Sequence, residues 1–154
     1  MIVMVEERDV CFSERKRGRD YFGLVSFGIF LLVVGVVFMA NPNIPADFQL
    51  WVEQMSYAQD FVRPPEGLMT SAILFFGLIG VLDFFQASLR FWFDRSKRRM
   101  LVDILSGIAL VLLAFLIYLY SNHSIEWQMV IAIEVVAAGL LVMLYSIIRY
   151  IYLK

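Results

Sequence analysis

Residues 21–40 read YFGLVSFGIFLLVVGVVFMA, twenty positions without a charge, opened by an aromatic and preceded by Arg15, Lys16, Arg17 and Arg19. A helix rises about 1.5 Å per residue, so this stretch is about 30 Å long, which matches the hydrocarbon core of a bilayer. The pattern predicts a transmembrane helix. Three more apolar stretches follow, and they predict spans over residues 67–89, 101–120 and 126–148. The expected fold is therefore all-α: a compact antiparallel bundle of four transmembrane helices.

Composition supports a lipid environment. Of the 154 residues, 61% are hydrophobic, and the mean hydropathy is +0.77, whereas ordinary globular chains are about 45–50% apolar. The net charge of −1 hides the useful fact, which is the placement of the cations. Arg8, Arg15, Lys16, Arg17 and Arg19 precede the first span, and Arg90, Arg95, Lys97, Arg98 and Arg99 lie between the second and third. The connection after the first span holds only Arg63, and the connection after the third holds none. Cations are retained on the cytoplasmic side, so both termini and the middle connection are expected there. The expected localisation is the cell membrane, multi-pass.

Residues 1–20 read as a cytoplasmic leader and residues 21–154 as the membrane domain. A cleavable signal peptide is not expected, because the apolar run is long and Phe38-Met39-Ala40 lacks the small-x-small cleavage pattern. Cys11 is the single cysteine and is read as an ordinary thiol. The basic clusters are short and sit beside spans, with Glu14, Asp20 and Asp94 among them. They fit contact with anionic headgroups and argue against nucleic acid as a partner.

Between the first two spans, Asn41-Pro42-Asn43-Ile44-Pro45 ends one helix and turns the chain. Phe48, Trp51, Val52, Met55, Ala58 and Val62 then recur at three- and four-residue intervals, with Asp47, Glu53, Gln54 and Asp60 between them. This spacing predicts an amphipathic helix over residues 46–62, too polar to span and suited to the outer membrane surface.

Small residues mark where helices can approach closely. Gly28 and Gly35 lie in the first span, Gly77 and Gly80 in the second, Gly107 in the third, and Ala137, Ala138 and Gly139 in the fourth. Association within lipid depends on packing and polar contacts, because hydrophobic transfer is already complete. Gly80 and Gly139 each stand ten residues before an arginine, Arg90 and Arg149, which would fit two like-oriented hairpins.

Among the acidic residues of the spans, Glu134, Asp83 and Asp103 are the candidates. Glu134 lies about 10 Å below Trp127 at helical rise and has apolar neighbours on both sides. A lone ionised carboxylate is costly there, so Glu134 is a candidate proton, cation or ligand site. The plainer reading is a neutral acid hydrogen-bonded to Ser26, Thr70 or Ser71. Asp83 and Asp103 stand near the cytoplasmic interface, with Arg90, Arg98, Arg99 and Arg149 as interfacial cations. Two carboxylates could bind a hard cation or work as an acid–base pair, although salt bridging accounts for them more simply.

His123 is read as an exposed turn residue. With no second histidine and a single cysteine, no metal and no cofactor are expected. The chain contains no Walker loop, dinucleotide fingerprint, nucleophile elbow or His-Glu-x-x-His pattern. The leading functional reading is a small membrane interaction protein or accessory subunit. Its expected partners are membrane lipids and either further copies of itself or a larger membrane protein. The rival reading is a transporter or lipid-handling enzyme that uses Glu134 with Asp83 and Asp103.

Overall fold

The computed structural model describes residues 24–58, 61–93 and 97–152. The side chains of residues 90, 91, 93, 97–99 and 152 lie outside that description. The described chain is all helix and connection: α1 (Leu24–Ala40), α2 (Ile44–Tyr57), α3 (Glu66–Phe93), α4 (Lys97–Ser121) and α5 (Trp127–Tyr152). Three stretches are long and apolar enough to cross a membrane: Glu66–Leu89, Met100–Ser121 and Trp127–Ile151. α1 and α2 together satisfy the same test but are bent by 79° at their junction. The protein is thus an all-α, multi-pass membrane protein with three such helices, or four if the bent pair counts as one span.

The bend follows from Asn41 to Asn43. Pro45 occupies the first turn of α2, where its missing amide costs nothing, and Asn43 at the cap position has φ −86° and ψ 2°. Asn41 fastens the corner. Its Oδ1 accepts the Asn43 amide at 3.2 Å, and its Nδ2 donates to Gly67 O at 3.0 Å and to Ser71 Oγ at 3.1 Å. Gly67 has no room for a side chain: an added Cβ would sit 2.7 Å from Asp47 Oδ2 and 3.0 Å from Asn41 Nδ2. This places the Asp47 carboxylate beside the start of α3, where the helix dipole favours negative charge.

α1 runs antiparallel along α3. Ser26 Oγ donates to Gln86 Oε1 at 2.9 Å, Phe30 meets the edge of Phe75 at 6.1 Å between centroids, and Val33 and Val37 are buried. The two polar ties, Ser26–Gln86 and Asn41–Gly67, hold opposite ends of the contact.

α3 and α4 form the most extensively packed pair. They meet at Gly80 and Gly107. A Cβ on Gly80 would lie 3.0 Å from the Val111 amide nitrogen and 3.1 Å from Gly107 O, and one on Gly107 would lie 2.9 Å from Gly80 O. Only hydrogen at these two positions permits backbone-to-backbone approach, as expected where packing alone must hold helices together. Gly77 adds ordinary contact with Ala114, and Ala87, Ala114 and Leu116 are buried.

Element boundaries differ from those read in the sequence. α3 begins at Glu66 and continues through Asp83 to Phe93. α4 begins at Lys97, and α5 continues to Tyr152. The largest difference is in α2, expected over 46–62 but ending at Tyr57, with Ala58 extended at ψ 143°. Ala58 N still donates to Gln54 O as the helix ends, and Trp51 Nε1 donates at 2.8 Å to Val62 O in the non-helical segment that follows; Pro64 disfavours helical backbone at Arg63 alone. Ala58 and Val62 therefore continue the apolar period in sequence but not in a helix. The proposed leader over residues 1–20 lies outside the described residues.

Candidate functional site

The embedded acid sits on α5. Val130, Glu134, Ala137, Leu141, Tyr145 and Ile148 are its partly covered positions, spaced by three and four residues, so they form one stripe. α4 packs against α5, and outside that stripe α5 is exposed. No residue in its apolar window is buried. Glu134 Oε2 is covered and has no hydrogen-bond partner. The hydroxyls suggested for it are committed elsewhere: Ser26 to Gln86, and Ser71 to Gly67 O at 2.8 Å. Thr70 is exposed. The expected interhelical hydrogen bond is therefore not formed, because those hydroxyls serve α1 and α3.

Asp83 packs by its Cβ beside Gly107, 3.3 Å from where a side chain there would begin. Gly107 lies one helical turn from Asp103 on α4, and Asp103 is partnered. Among the described residues no three His, Cys, Asp or Glu side chains are grouped to hold a metal ion. The side chains of Arg90, Arg98 and Arg99 lie outside the described ones, and Arg149 is exposed in the last turn of α5.

The proposed packing residues fall into two environments. Gly77, Gly80 and Gly107 lie in the α3–α4 contact. Ala137 is partly covered, Ala138 and Gly139 face outward, and nothing lies within 4 Å of an added Cβ at Gly28, Gly35 or Gly139. The outward face of α5 carries Ala132, Val136, Gly139, Met143 and Ser146, all exposed. Its small residues recur every seven positions, and the Ser146 hydroxyl turns back to Val142 O at 2.9 Å, which leaves the stripe apolar.

A second place combines charge with a cavity, and the sequence reading passed over it. At the α4–α5 turn, His123 has a left-handed backbone with φ 58°. Ser124 N donates to Leu119 O at 3.0 Å and His123 N to Tyr120 O at 3.1 Å. These two bonds are the pair that closes a helix C-terminus. Arg63 completes the closure: its Nη2 donates to Tyr120 O and, at 2.7 Å, to Ser121 O. Its guanidinium lies 4.8 Å from the Tyr120 ring centroid. A cation at the carbonyl end of α4 also opposes that end's partial negative charge.

Aromatic rings link this turn to α2. Phe48 meets Trp51 at 6.1 Å, Trp51 meets Phe61 at 6.4 Å, and Phe61 stacks on Trp127 at 5.0 Å. Arg63, Tyr120, His123, Glu126, Trp127 and Gln128 line an open groove of about 590 Å³. A second groove of about 260 Å³ is wholly apolar and lies between α1, α2 and α3 at Val34, Val37, Ile44 and Phe75. Neither groove includes Glu134.

No protein-family model matches the chain, and no curated protein or solved structure is similar to it. The functional reading therefore stands on the helices and their surfaces.

Proposed function

We propose that this chain is a membrane interaction protein, or accessory subunit, whose α5 offers its outward stripe to a transmembrane helix of a partner. One observation carries the reading. α5 touches its neighbour along a single stripe and leaves no residue buried in its apolar window. Its outward face repeats Ala132, Gly139 and Ser146 at heptad spacing. Small residues at that interval let a second helix lie close along a left-handed crossing. The partner is a second copy or a larger membrane protein that presents such a helix.

The arrangement in the bilayer belongs to the same proposal. α1 crosses as its own span, since it lies beside α3 from Gln86 to Gly67, about 28 Å of helix at standard rise. α2 then turns onto the outer surface, where Phe48, Leu50, Val52 and Met55 remain exposed to lipid. Four crossings put both termini on the cytoplasmic side with the basic clusters, and residues 1–20 form a leader there. The rival transport reading needs a path to Glu134. Its Oε2 is covered and unpartnered, and the interaction reading rests on the outward face of α5 instead.

Photocrosslinking in native membranes tests the proposal. A photoreactive residue at Val136 or Met143, on the outward stripe, should give one discrete protein product. The same probe at Leu144, exposed but off the stripe, should give lipid adducts only. Lipid adducts alone at all three positions would exclude α5 as the partner face.

A further inference from the structure

The groove at the α4–α5 turn contains two opposite charges that do not bind each other. Arg63 uses Nη2 for Tyr120 O and Ser121 O. Among the described residues, its Nε and Nη1 donors have no partner. Glu126 lines the same groove, is exposed, and makes no side-chain hydrogen bond among the described residues. The guanidinium is held rigidly, since one face lies over Tyr120 while two helix carbonyls fix its Nη2 end. Cation, carboxylate and indole thus line one groove at the adjoining ends of two helices long and apolar enough to cross a membrane.

We propose that this groove binds the headgroup of a zwitterionic phospholipid bearing a primary ammonium, of the phosphatidylethanolamine type. A phosphate oxygen meets an uncommitted N–H of Arg63, at Nη1 or Nε, in a charge-assisted hydrogen bond. The ammonium meets the Glu126 carboxylate, and Trp127 lines the same groove. The groove's volume of about 590 Å³ falls within the range of small-molecule sites, roughly 300–1,000 Å³. Ile125, Trp127 and Met129 supply apolar surface at its edge, where the glycerol and first acyl carbons descend. An anionic lipid without the ammonium leaves Glu126 facing like charge, and a soluble phosphate gains nothing from that apolar edge. The proposal does not depend on a partner at α5.

The full-length protein in detergent micelles provides the test, with retained lipid counted by native mass spectrometry. Equal concentrations of phosphatidylethanolamine and phosphatidylglycerol are offered in competition. The unmodified chain should retain the former about two- to fivefold more, the upper part of the range expected of one exposed ion pair. Glu126→Gln should remove the preference, Glu126→Lys should reverse it, and Glu126→Asp should keep it. Arg63 also closes α4, so Arg63→Lys, which keeps the charge, replaces a truncation there. It should lower retention of both lipids together. Equal retention of the two lipids by the unmodified chain, or a preference unchanged in Glu126→Gln, overturns the site. Binding of soluble phosphoethanolamine as tightly as the lipid overturns the membrane source and leaves a soluble ligand in its place.

Discussion

The α3–α4 contact and α5 are built from the same small residues and use them in opposite ways. Gly80 and Gly107 face each other, and backbone atoms fill the space their side chains would need. An added Cβ on Gly139 of α5 meets nothing within 4 Å. Composition does not distinguish the two helices. The difference lies in whether a neighbour stands opposite: a glycine in contact fixes the protomer, and a glycine in open lipid leaves a place for something else.

The sharpest way to break that contrast is to fill both glycines. Gly107→Val should destabilise the protein by about 1–3 kcal/mol, the usual cost of overpacking, because the obstacle is the Gly80 carbonyl and not a flexible side chain. Gly139→Val should stay within about 0.5 kcal/mol, as surface changes do. Thermal unfolding in a single detergent compares the two directly, and equal losses would erase the distinction drawn here.

Asn41→Leu tests the other fixed contact of α3. It removes the donor to Gly67 and Ser71 and should cost about 1 kcal/mol, with faster proteolysis at the 41–45 corner as the second readout. The smallest effect is expected at the far end of α1. Ser26→Ala breaks one hydrogen bond to Gln86, and such bonds in membranes average about 0.6 kcal/mol. A double-mutant cycle with Gln86→Leu should return a coupling of that size. A coupling near zero would mean that α1 is held at its Asn41 end alone.

The three long apolar helices over Glu66–Leu89, Met100–Ser121 and Trp127–Ile151 are legible in the sequence because lipid imposes a length and excludes charge. Leu105 to Tyr120 could hardly be read otherwise. Where α2 stops is less plain. The three- and four-residue apolar period runs on through Ala58 and Val62, and no local signal marks the end at Tyr57. In the sequence Arg63 stands out only as the lone cation of its connection. Its role depends on Tyr120 and Ser121, 57 and 58 residues further along, and no local pattern announces a contact over that distance. The isolation of Glu134 from Ser26 and Ser71 was similarly hidden. Each hydroxyl had several helices to choose from, and only the packing of α1 on α3 decided between them.

The indole rings carry a practical consequence. Trp51 and Trp127 are joined through Phe61 at one end of the molecule, while Trp92 stands 81% exposed at the opposite end of α3. In sealed vesicles, a water-soluble quencher confined to one compartment would dim either the pair or the single ring. The protein thus reports its own sidedness by intrinsic fluorescence, without a label.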